Sequence, residues 1–295
     1  MTPEQLRIFV AVAERGHVTR AAALLGMSQS AASAAIKALE TGCGVQLFNR
    51  VGRAIELSPA GRRFLPEAKA VLERIAEARH VLENASQTVA GSIAIAASQT
   101  IASYWLPRRL AAFQDGHPAV RLDVSIGNTR QVENDVLDGA ADMGLVEGRT
   151  ESDLLRRLRV DVDRLMLVVA KSHPEVSELS PGQPDISSLR WIVRESGSGT
   201  REVLQDLARN MAIPFGSLSI FLVLPSNEAI VQAVEAGAGA TIISELVVGR
   251  ALAEGSLRHV PLALPRRDFA LISHRDRQPT LSQTALKSFL LAGTK

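Results

Sequence analysis

The feature that most constrains this chain is residues 18–40, which have the pattern of two short helices joined by a tight turn. The first helix is Ala-rich and runs to Leu25. Thr19 is its predicted N-cap, because a threonine hydroxyl readily accepts a backbone N–H at a helix start. Gly26 then ends the helix, since glycine adopts the left-handed conformation that a helix C-terminus requires. The second helix decides what such a hairpin is used for.

The second helix is predicted to begin after Ser28, its N-cap. Its apolar residues recur at i, i+4 and i+7, which predicts one buried stripe made of Ala32, Ile36 and Leu39. The opposite face carries small polar and basic side chains, namely Gln29, Ser30, Ser33 and Lys37. A helix that shows such side chains beside a packed partner is typical of helix-turn-helix DNA recognition. The alternative is an Ala-rich helical hairpin without a partner.

The residues that follow favour DNA binding. Residues 49–53 form a basic turn and residues 54–57 alternate like a strand, which predicts a two-stranded wing. Residues 1–66 hold eight Lys or Arg against four Glu, a net charge of +4, whereas the rest of the chain has a net charge of −2. Positive charge is thus concentrated where a polyanion would bind. The expected DNA contacts are Thr19, Ser28, Gln29, Ser30, Ser33, Lys37, Arg50 and Arg53.

Length and composition set further bounds. A chain of 295 residues, 46% of them hydrophobic, is long enough for two or three globular domains. Its single cysteine, Cys43, excludes a disulfide within the chain and is interpreted either as a small packing residue or as a redox sensor. The N-terminus lacks the features of a signal peptide, and no apolar run approaches the ~20 residues of a membrane span. A cytoplasmic protein without a membrane partner is expected.

A long helix is predicted after the wing. Ser58 caps it and Pro59 takes its first position, an order that favours a helix start. Its apolar residues step alternately by four and three, the 3.5-residue period of a coiled-coil seam. These residues are Phe64, Ala68, Val71, Ile75, Ala78 and Leu82. The period favours a homodimer through this helix, and the alternative is an amphipathic helix packed on its own domain.

From residue 92 onward, apolar strand-like runs alternate with amphipathic helices in two sets. The first set has strands near 93–97, 120–126 and 143–146, and helices near 101–113 and 129–137. The second has strands near 165–170, 191–194, 220–224 and 240–244, and helices near 200–211, 228–235 and 245–254. Such alternation predicts two lobes that each contain a parallel sheet, with ligands at the carboxyl ends of the strands.

Two loops between a strand and a helix carry residues suited to an anion. They are residues 98–100, Ser-Gln-Thr, and residues 194–201, RESGSGTR. Glycine allows close backbone approach, hydroxyls donate hydrogen bonds, and the helix N-terminus offers unpaired N–H groups. Residues 225–228 are a third helix start that can line the same cleft. The alternative is a flexible loop with a good N-cap. The spacing of a P-loop is missing, so nucleotide hydrolysis is not supported.

Several runs resemble the N-terminal domain of LysR-type transcriptional regulators: LRIFVAVAERGHVTRAAALLGMSQSAASAAIKALE, then GVQLFNRVGR and LSPAGRRFL. The resemblance implies an α/β fold class with an N-terminal winged helix-turn-helix and a two-lobed periplasmic-binding-protein-like effector domain. The expected boundaries are 1–58 for the DNA-binding domain, 59–85 for the linker and dimerisation helix, 86–91 for a hinge, 92–162 with 263–295 for effector lobe I, and 163–262 for effector lobe II.

Four further phrases, RESGSGTR, ASQTIASYWLP, IGNTRQV and GLVEG, are similar to LysR regulators of carbon fixation and of sulfur assimilation or sulfite response. In that subgroup the effectors are small anions. The resemblance implies effector contacts from Ser98, Thr100, Ile101, Glu147, Ser196, Gly197, Ser198, Gly199, Thr200 and Asn227. Asn128 matches the subgroup too. A carboxylate such as Glu147 is a poor anion ligand unless neutralised, so we expect it to be structural or to set selectivity.

The sequence therefore predicts a DNA-binding regulator that senses a small anion, a sulfur oxyanion or a phosphorylated metabolite, between two effector lobes. Its expected partners are double-stranded operator DNA, the anion and further copies of the chain in a homodimer and a homotetramer, and contact with RNA polymerase stays open. No cofactor, metal or catalytic residue is predicted, because the histidines and serines lack the spacing of known sites. The alternative is an α/β enzyme or anion-binding protein with an appended DNA-binding head.

Overall fold

The computed structural model describes residues 1–51, 54–85, 89–172 and 185–293, and the chain separates into two compact units, residues 1–85 and 86–295. The described elements of the first unit are α1 (Pro3–Arg15), α2 (Val18–Leu24), α3 (Gln29–Cys43), β1 (Phe48–Val51), β2 (Ala54–Leu57) and α4 (Pro59–Ala85). β1 and β2 pair antiparallel. The predicted helix-turn-helix is therefore α2 with α3, and the predicted wing is β1 with β2. Arg53 lies outside the described residues.

Capping residues set the ends of α2 and α3 as predicted, with one exception. Ser28 Oγ accepts a backbone N–H at 3.2 Å and caps α3, and Gly26 after α2 has a left-handed φ of 66°. The prediction that Thr19 caps α2 is wrong. The helix begins one residue earlier, and His17 is the extended residue before it, whose side chain makes no capping hydrogen bond. Thr19 instead lies exposed within the first turn.

Apolar residues of α1, α2, α3, β1 and α4 form the core of the first unit. The Phe9 ring centroid lies 5.3 Å from that of Phe48 and 5.1 Å from that of Phe64. The predicted stripe of α3 is buried in this core: Ala32, Ile36 and Leu39. Phe64 and Ala68 of α4 pack here as well. The first two positions of the predicted dimer seam therefore belong to the core of their own unit, because α4 starts against the base of the wing.

Gly61 allows this close start of α4. Ser58 Oγ donates to the Gln46 carbonyl at 2.7 Å, and a Cβ on Gly61 would lie 2.1 Å from the Leu47 carbonyl oxygen. We expect Gly61→Ala to destabilise the first unit by about 1–3 kcal/mol, because the added methyl group forces these two backbone segments apart.

Urea unfolding can isolate this effect, because both tryptophans, Trp105 and Trp191, lie in the second unit. The helical circular dichroism of Gly61→Ala should begin to fall at lower urea, while the midpoint from tryptophan fluorescence stays unchanged. Gly42→Ala is the matched control, since a Cβ there meets nothing within 4 Å and alanine favours a helix over glycine. Identical dichroism curves for both variants would argue against the close approach at Gly61.

Among its described residues, the second unit contains two five-stranded sheets. The strands of the first are β3 (Gly91–Ser98), β4 (Val120–Gly127), β5 (Met143–Val146), β6 (Leu155–Asp163) and β12 (Arg267–His274). Those of the second are β7 (Leu165–Ala170), β8 (Arg190–Arg194), β9 (Ser219–Leu224), β10 (Ala240–Ser244) and β11 (Leu257–Val260). Their orders are β4-β3-β5-β12-β6 and β11-β7-β10-β8-β9. Each sheet with its helices forms one lobe, lobe I and lobe II.

Helices cover both sheets, which confirms the predicted two-lobed α/β fold. In lobe I a π-helical turn (Ile101–Trp105) leads into α5 (Leu106–Gly116), and the other helices are α6 (Thr129–Leu137) and α10 (Leu281–Ala292). Lobe II contains α7 (Gly199–Asn210), α8 (Asn227–Glu235) and α9 (Glu245–Glu254). Phe113 and Phe269 are buried in the core of lobe I, and Trp191 is buried in that of lobe II.

Both sheets are mixed, which corrects the prediction of parallel sheets. β3 runs parallel to β4 and β5, and β8 runs parallel to β9 and β10. β12 is antiparallel to both of its neighbours, and so is β7. These two are the first strands after each crossing between lobes. A strand that enters its sheet from the other lobe starts at the cleft, so it runs against strands that end there.

Candidate functional site

The exposed face of α3 carries the polar residues predicted to contact DNA. The exposed positions are Ser28, Gln29, Ser30 and Lys37. Gln29 Nε2 donates to the half-buried Ser33 Oγ at 2.9 Å, so these two side chains are oriented by each other. Glu40 Oε1 accepts the Leu47 backbone N–H at 2.7 Å and ties α3 to the start of the wing. Arg50 lies within β1. The unit thus presents one polar helix face beside a fixed wing.

In lobe I, the first predicted loop follows β3 and is buried. Ser98 and Thr100 are almost inaccessible to solvent, and Ser98 Oγ donates to Glu147 Oε2, just after β5. Ile101 begins the π-helical turn, and its side chain packs into the core of lobe I. Ile101 therefore has only its backbone to offer a ligand. π-Helical turns occur frequently at functional sites.

In lobe II, the glycine-containing loop leads into α7. Ser198 Oγ accepts the Thr200 backbone N–H at 3.3 Å and caps this helix, and both side chains are buried. Ser196 is exposed at the rim of the loop, and Gly197 has a φ of 88°, which favours glycine. The second predicted anion-binding loop, residues 194–201, is therefore a buried helix start with an exposed rim.

Asn227 joins the two loops. It begins α8 in lobe II and is fully buried. Its Nδ2 donates to Thr100 Oγ1 at 3.1 Å, and its backbone N–H donates to Gln99 Oε1 at 2.7 Å. Residues from both lobes that the sequence selected separately are thus brought into one polar cluster.

Two buried arginines, which the sequence analysis did not select, complete this cluster. Arg194 Nη1 donates to Asn227 Oδ1 at 2.8 Å, and Arg267 Nη1 donates to Thr200 Oγ1 at 3.2 Å. Arg194 is the first residue of the phrase RESGSGTR, and its place at the end of an apolar strand was an available signal. Arg267 had no such signal in the sequence, because it begins β12, a strand that was not predicted.

Three carboxylates accompany the two arginines. Glu195 Oε2 lies 2.8 Å from Arg194 Nε, and Asp163 Oδ2 lies 3.1 Å from Arg267 Nε. Glu147 Oε1 lies farther away, 4.0 Å from Arg267 Nη1. Each arginine therefore has one close ion-pair partner, and Glu147 is the carboxylate in excess.

The two glutamates differ in how readily they take up a proton. Burial raises the pKa of Glu147, and the charge of Arg267 opposes this without cancelling it. Partial burial also tends to raise the pKa of Glu195, but hydrogen bonds from Arg194 and Asn128 outweigh it and lower that pKa. Glu195 is therefore the ionised partner of Arg194, whereas Glu147 is the carboxyl that is most easily neutralised.

The lobes approach each other closely beside this cluster. A Cβ on Gly199 would lie 2.7 Å from the Cα of Gly148, so glycine is required where these backbones meet. Asn128 Nδ2 donates to Glu195 Oε1 at 3.1 Å across the same junction. Contacts of this kind must break or form when the lobes move.

Two kinds of feature are missing from residues 1–51, 54–85, 89–172 and 185–293. None of their helices is both long and apolar enough to cross a bilayer. Among the same residues, no three His, Cys, Asp or Glu side chains are grouped as a metal would need.

Comparisons with known proteins divide the chain in two, as the structure does. Residues 3–62 match the family model for the bacterial regulatory helix-turn-helix protein, lysR family, and residues 86–295 match the LysR substrate binding domain. YeiE of Escherichia coli strain K12, called an uncharacterized HTH-type transcriptional regulator, is 35% identical over 293 residues, 98% of this chain and 96% of YeiE. A probable RuBisCO transcriptional regulator of Trieres chinensis is 32% identical over 252 residues, 84% of this chain and 82% of that protein.

A solved structure shows the same fold. Full-length CbnR complexed with its target DNA aligns with a TM-score of 0.66 at 22% identity, and the alignment covers 100% of both chains.

Proposed function

Because this chain belongs to the LysR family of bacterial transcription regulators, we propose that it senses a small oxyanion between the lobes of its effector domain and changes its DNA binding in response. The chain is a ligand-responsive transcription regulator and not an enzyme. The proposal assigns residues 1–58 to DNA binding, 59–85 to the linker helix, 86–91 to a hinge, and 92–295 to the effector lobes.

The buried polar cluster carries the proposal for the anion. Hydroxyls of Thr100 and Thr200, the Asn227 amide and two arginines converge there from both lobes. Guanidinium groups, hydroxyls and the start of α7 are the donors that sulfate, phosphate and related oxyanions need. A ligand that contacts both lobes has different affinities for open and closed forms, and this difference is the free energy available for signalling.

Two classes of anion fit these donors. A phosphorylated metabolite is supported by the relatives whose names tie them to RuBisCO, and a sulfur oxyanion has the same tetrahedral or pyramidal oxygen arrangement. Thermal melting with sulfite, sulfate, thiosulfate, phosphate and a sugar phosphate tests both, because a ligand that binds the folded state raises the midpoint. Unchanged midpoints with all five would argue against the anion site.

For DNA, we propose contacts from the face of α3 and from the wing: Thr19, Ser28, Gln29, Ser30, Ser33, Lys37, Arg50 and Arg53. The helix-turn-helix geometry supports bases as the targets of Gln29 and Ser33, which lie on the outward face of α3. The exposed Lys37, further along this helix, is suited to a phosphate.

Lys37→Ala should weaken binding to all DNA sequences by a similar factor and lower the slope of log affinity against log salt by about one. Gln29→Ala should instead change the preference among sequences. Fluorescence anisotropy on two unrelated duplexes across a salt series measures both effects, with Lys171→Ala, an exposed lysine of the second unit, as control. An unchanged salt slope for Lys37→Ala would remove Lys37 from the DNA-binding surface.

For assembly, we propose a homodimer through α4. A shallow groove on this helix is lined by Glu67, Ala70, Val71, Arg74, Ile75 and Ala78. Val71, Ile75 and Ala78 are the part of the predicted seam that the core of the first unit leaves uncovered, and Val71 is 42% exposed. The side chain of Leu82, the last position of the predicted seam, lies outside the described part of the structure. The heptad period at these positions supports pairing with the same helix of a second copy.

We further propose that the effector domains join two dimers into a homotetramer. Each sheet has an edge strand with large exposed apolar side chains: Val124 and Ile126 in β4, Phe221 and Val223 in β9. Unpaired strand edges of this kind are sites of association unless they are covered. A second copy of the chain offers the same two edges, so a symmetric pairing covers both.

A further inference from the structure

The donors proposed for the anion already serve a carboxylate of the protein. Ser98 Oγ donates to Glu147 Oε2, the Thr100 hydroxyl also interacts with this carboxyl, and Arg267 Nη1 lies 4.0 Å from Glu147 Oε1. Glu147 is 5% exposed, so water cannot substitute for these partners. A carboxylate with hydroxyl and guanidinium donors around it has the surroundings of a bound oxyanion.

The balance of charges in the cluster also bears on how an anion can bind. With every group ionised, two arginines face three carboxylates, Glu147, Asp163 and Glu195, so the cluster carries one negative charge in excess. A dianion added to that cluster would be repelled in a poorly solvated site. Neutralising one carboxyl removes the excess. Asp163 and Glu195 each have a guanidinium group within hydrogen-bond distance, whereas Glu147 lies 4.0 Å from Arg267 Nη1, so Glu147 is the group that can be neutralised at the lowest cost.

We propose that Glu147 is an internal anion, which the effector replaces as partner of Ser98, Thr100 and Arg267, and that this exchange takes up one proton from solvent onto Glu147. The inference rests on the proposed anion site and adds its regulation, because anion affinity must then rise as pH falls. The protonated Glu147 can donate a hydrogen bond to the anion that displaced it. Glu147 thereby weakens anion binding at alkaline pH, where taking up the proton is less favourable.

The groups that face Glu147 come from four elements. Ser98 and Thr100 lie at the end of β3, Asp163 ends β6, Arg267 begins β12 and Arg194 ends β8. Burial raises the pKa of Glu147, and Asp163 raises it further, while Arg267, Thr100 and Arg194 lower it. An anion placed near Glu147 acts in the same direction as Asp163, so binding raises this pKa again and draws in the proton.

Sulfate is the probe for this proposal, because its own charge is constant between about pH 6 and pH 8. Titration calorimetry of the full-length protein in two buffers with different ionisation enthalpies yields the number of protons taken up. We expect uptake that approaches one per sulfate at the alkaline end, and an affinity that falls by up to about tenfold per pH unit there. This measurement on the unaltered protein needs no variant to fold.

Glu147→Gln is the decisive variant, since it keeps size and hydrogen bonding but cannot ionise. It should bind sulfate with no proton uptake and with an affinity independent of pH, at least about tenfold tighter than the unaltered protein at pH 8. Glu133→Gln is the matched control. Glu133 is another buried glutamate of lobe I, it accepts hydrogen bonds from the backbone of residues 151 and 152, and it lies outside the cluster. That variant should keep the pH dependence.

The outcomes distinguish failure of the proton exchange from failure of the anion site itself. If sulfate binds without proton uptake, or if Glu147→Gln keeps the same pH dependence, the proton exchange is wrong and the anion site stands. A further outcome is that sulfate binds Glu147→Gln measurably while its binding to the unaltered protein is too weak to measure. That result supports the role of Glu147 as an internal competitor. Sulfate that binds to neither protein overturns the exchange, and failure of the other four anions as well overturns the proposed anion site.

Discussion

Ile75→Asp should reduce operator affinity by about 100-fold or more, because it separates the two DNA-binding units of a dimer. Ile75 lies in the groove of α4 with Val71 and Ala78. Pairing through this groove would bury the aspartate of each copy in an apolar seam, and burying such charges costs several kcal/mol unless the helices part. Once they part, each recognition helix binds its half-site alone.

Native mass spectrometry and DNA binding together check this expectation. Ile75→Asp should fall from tetramer to the dimer that the effector domains still hold together, and it should bind an operator hardly better than unrelated DNA. Ile75→Leu is the matched control, since it keeps an apolar side chain of equal size and should remain a tetramer with near-normal affinity. A tetrameric Ile75→Asp protein with normal operator binding would exclude α4 as an interface between copies.

Thr100→Val should abolish the response of DNA binding to the effector anion while leaving binding in its absence near normal. The substitution keeps the shape of the side chain and removes the hydroxyl, which accepts from Asn227 Nδ2 at 3.1 Å and connects the two lobes. An anion that loses this donor loses part of its preference for the closed form, and the coupling to DNA depends on that preference. We expect anion affinity to fall by about tenfold or more.

Thr100→Ser is the matched control for Thr100→Val. It keeps the hydroxyl that accepts from Asn227 Nδ2 and removes only a methyl group. The response to the anion should therefore persist. DNA affinity with and without saturating anion, measured for both variants, gives the coupling directly. An equal response in both variants would show that the Thr100 hydroxyl takes no part.

Much of the fold could be predicted because single segments carry it. The period of α4, the stripe of α3 and the apolar runs of β5, β7 and β10 each show in a few neighbouring residues. The strands β6 and β12 were not predicted from their own residues. β6 reads LRRLRVDVD, so charged residues interrupt the apolar pattern of this edge strand. The antiparallel direction of β12 and β7 also depends on where the chain crosses between lobes, which no local pattern records.

The candidate site was predictable only in part, for the same reason. The loops with Ser98, Thr100 and Thr200 have local signals in their residue types and in the helices they start. Arg267 does not, since it reaches the cluster through the reversed strand β12 and pairs with Asp163, which is 104 residues away in the chain. The partner of Ser98 also could not be predicted from a local pattern, because Glu147 lies 49 residues later in the chain.

Titration calorimetry of the full-length protein with sulfite, sulfate, thiosulfate, phosphate and a sugar phosphate tests the central claim most directly. The account predicts saturable binding of at least one of these anions, with one site per chain. It also predicts that Thr100→Val weakens this binding by about tenfold or more, whereas Thr100→Ser, which keeps the hydroxyl, retains most of it. Failure of all five anions to bind, or equal affinities for the two variants, would contradict an anion site between the lobes.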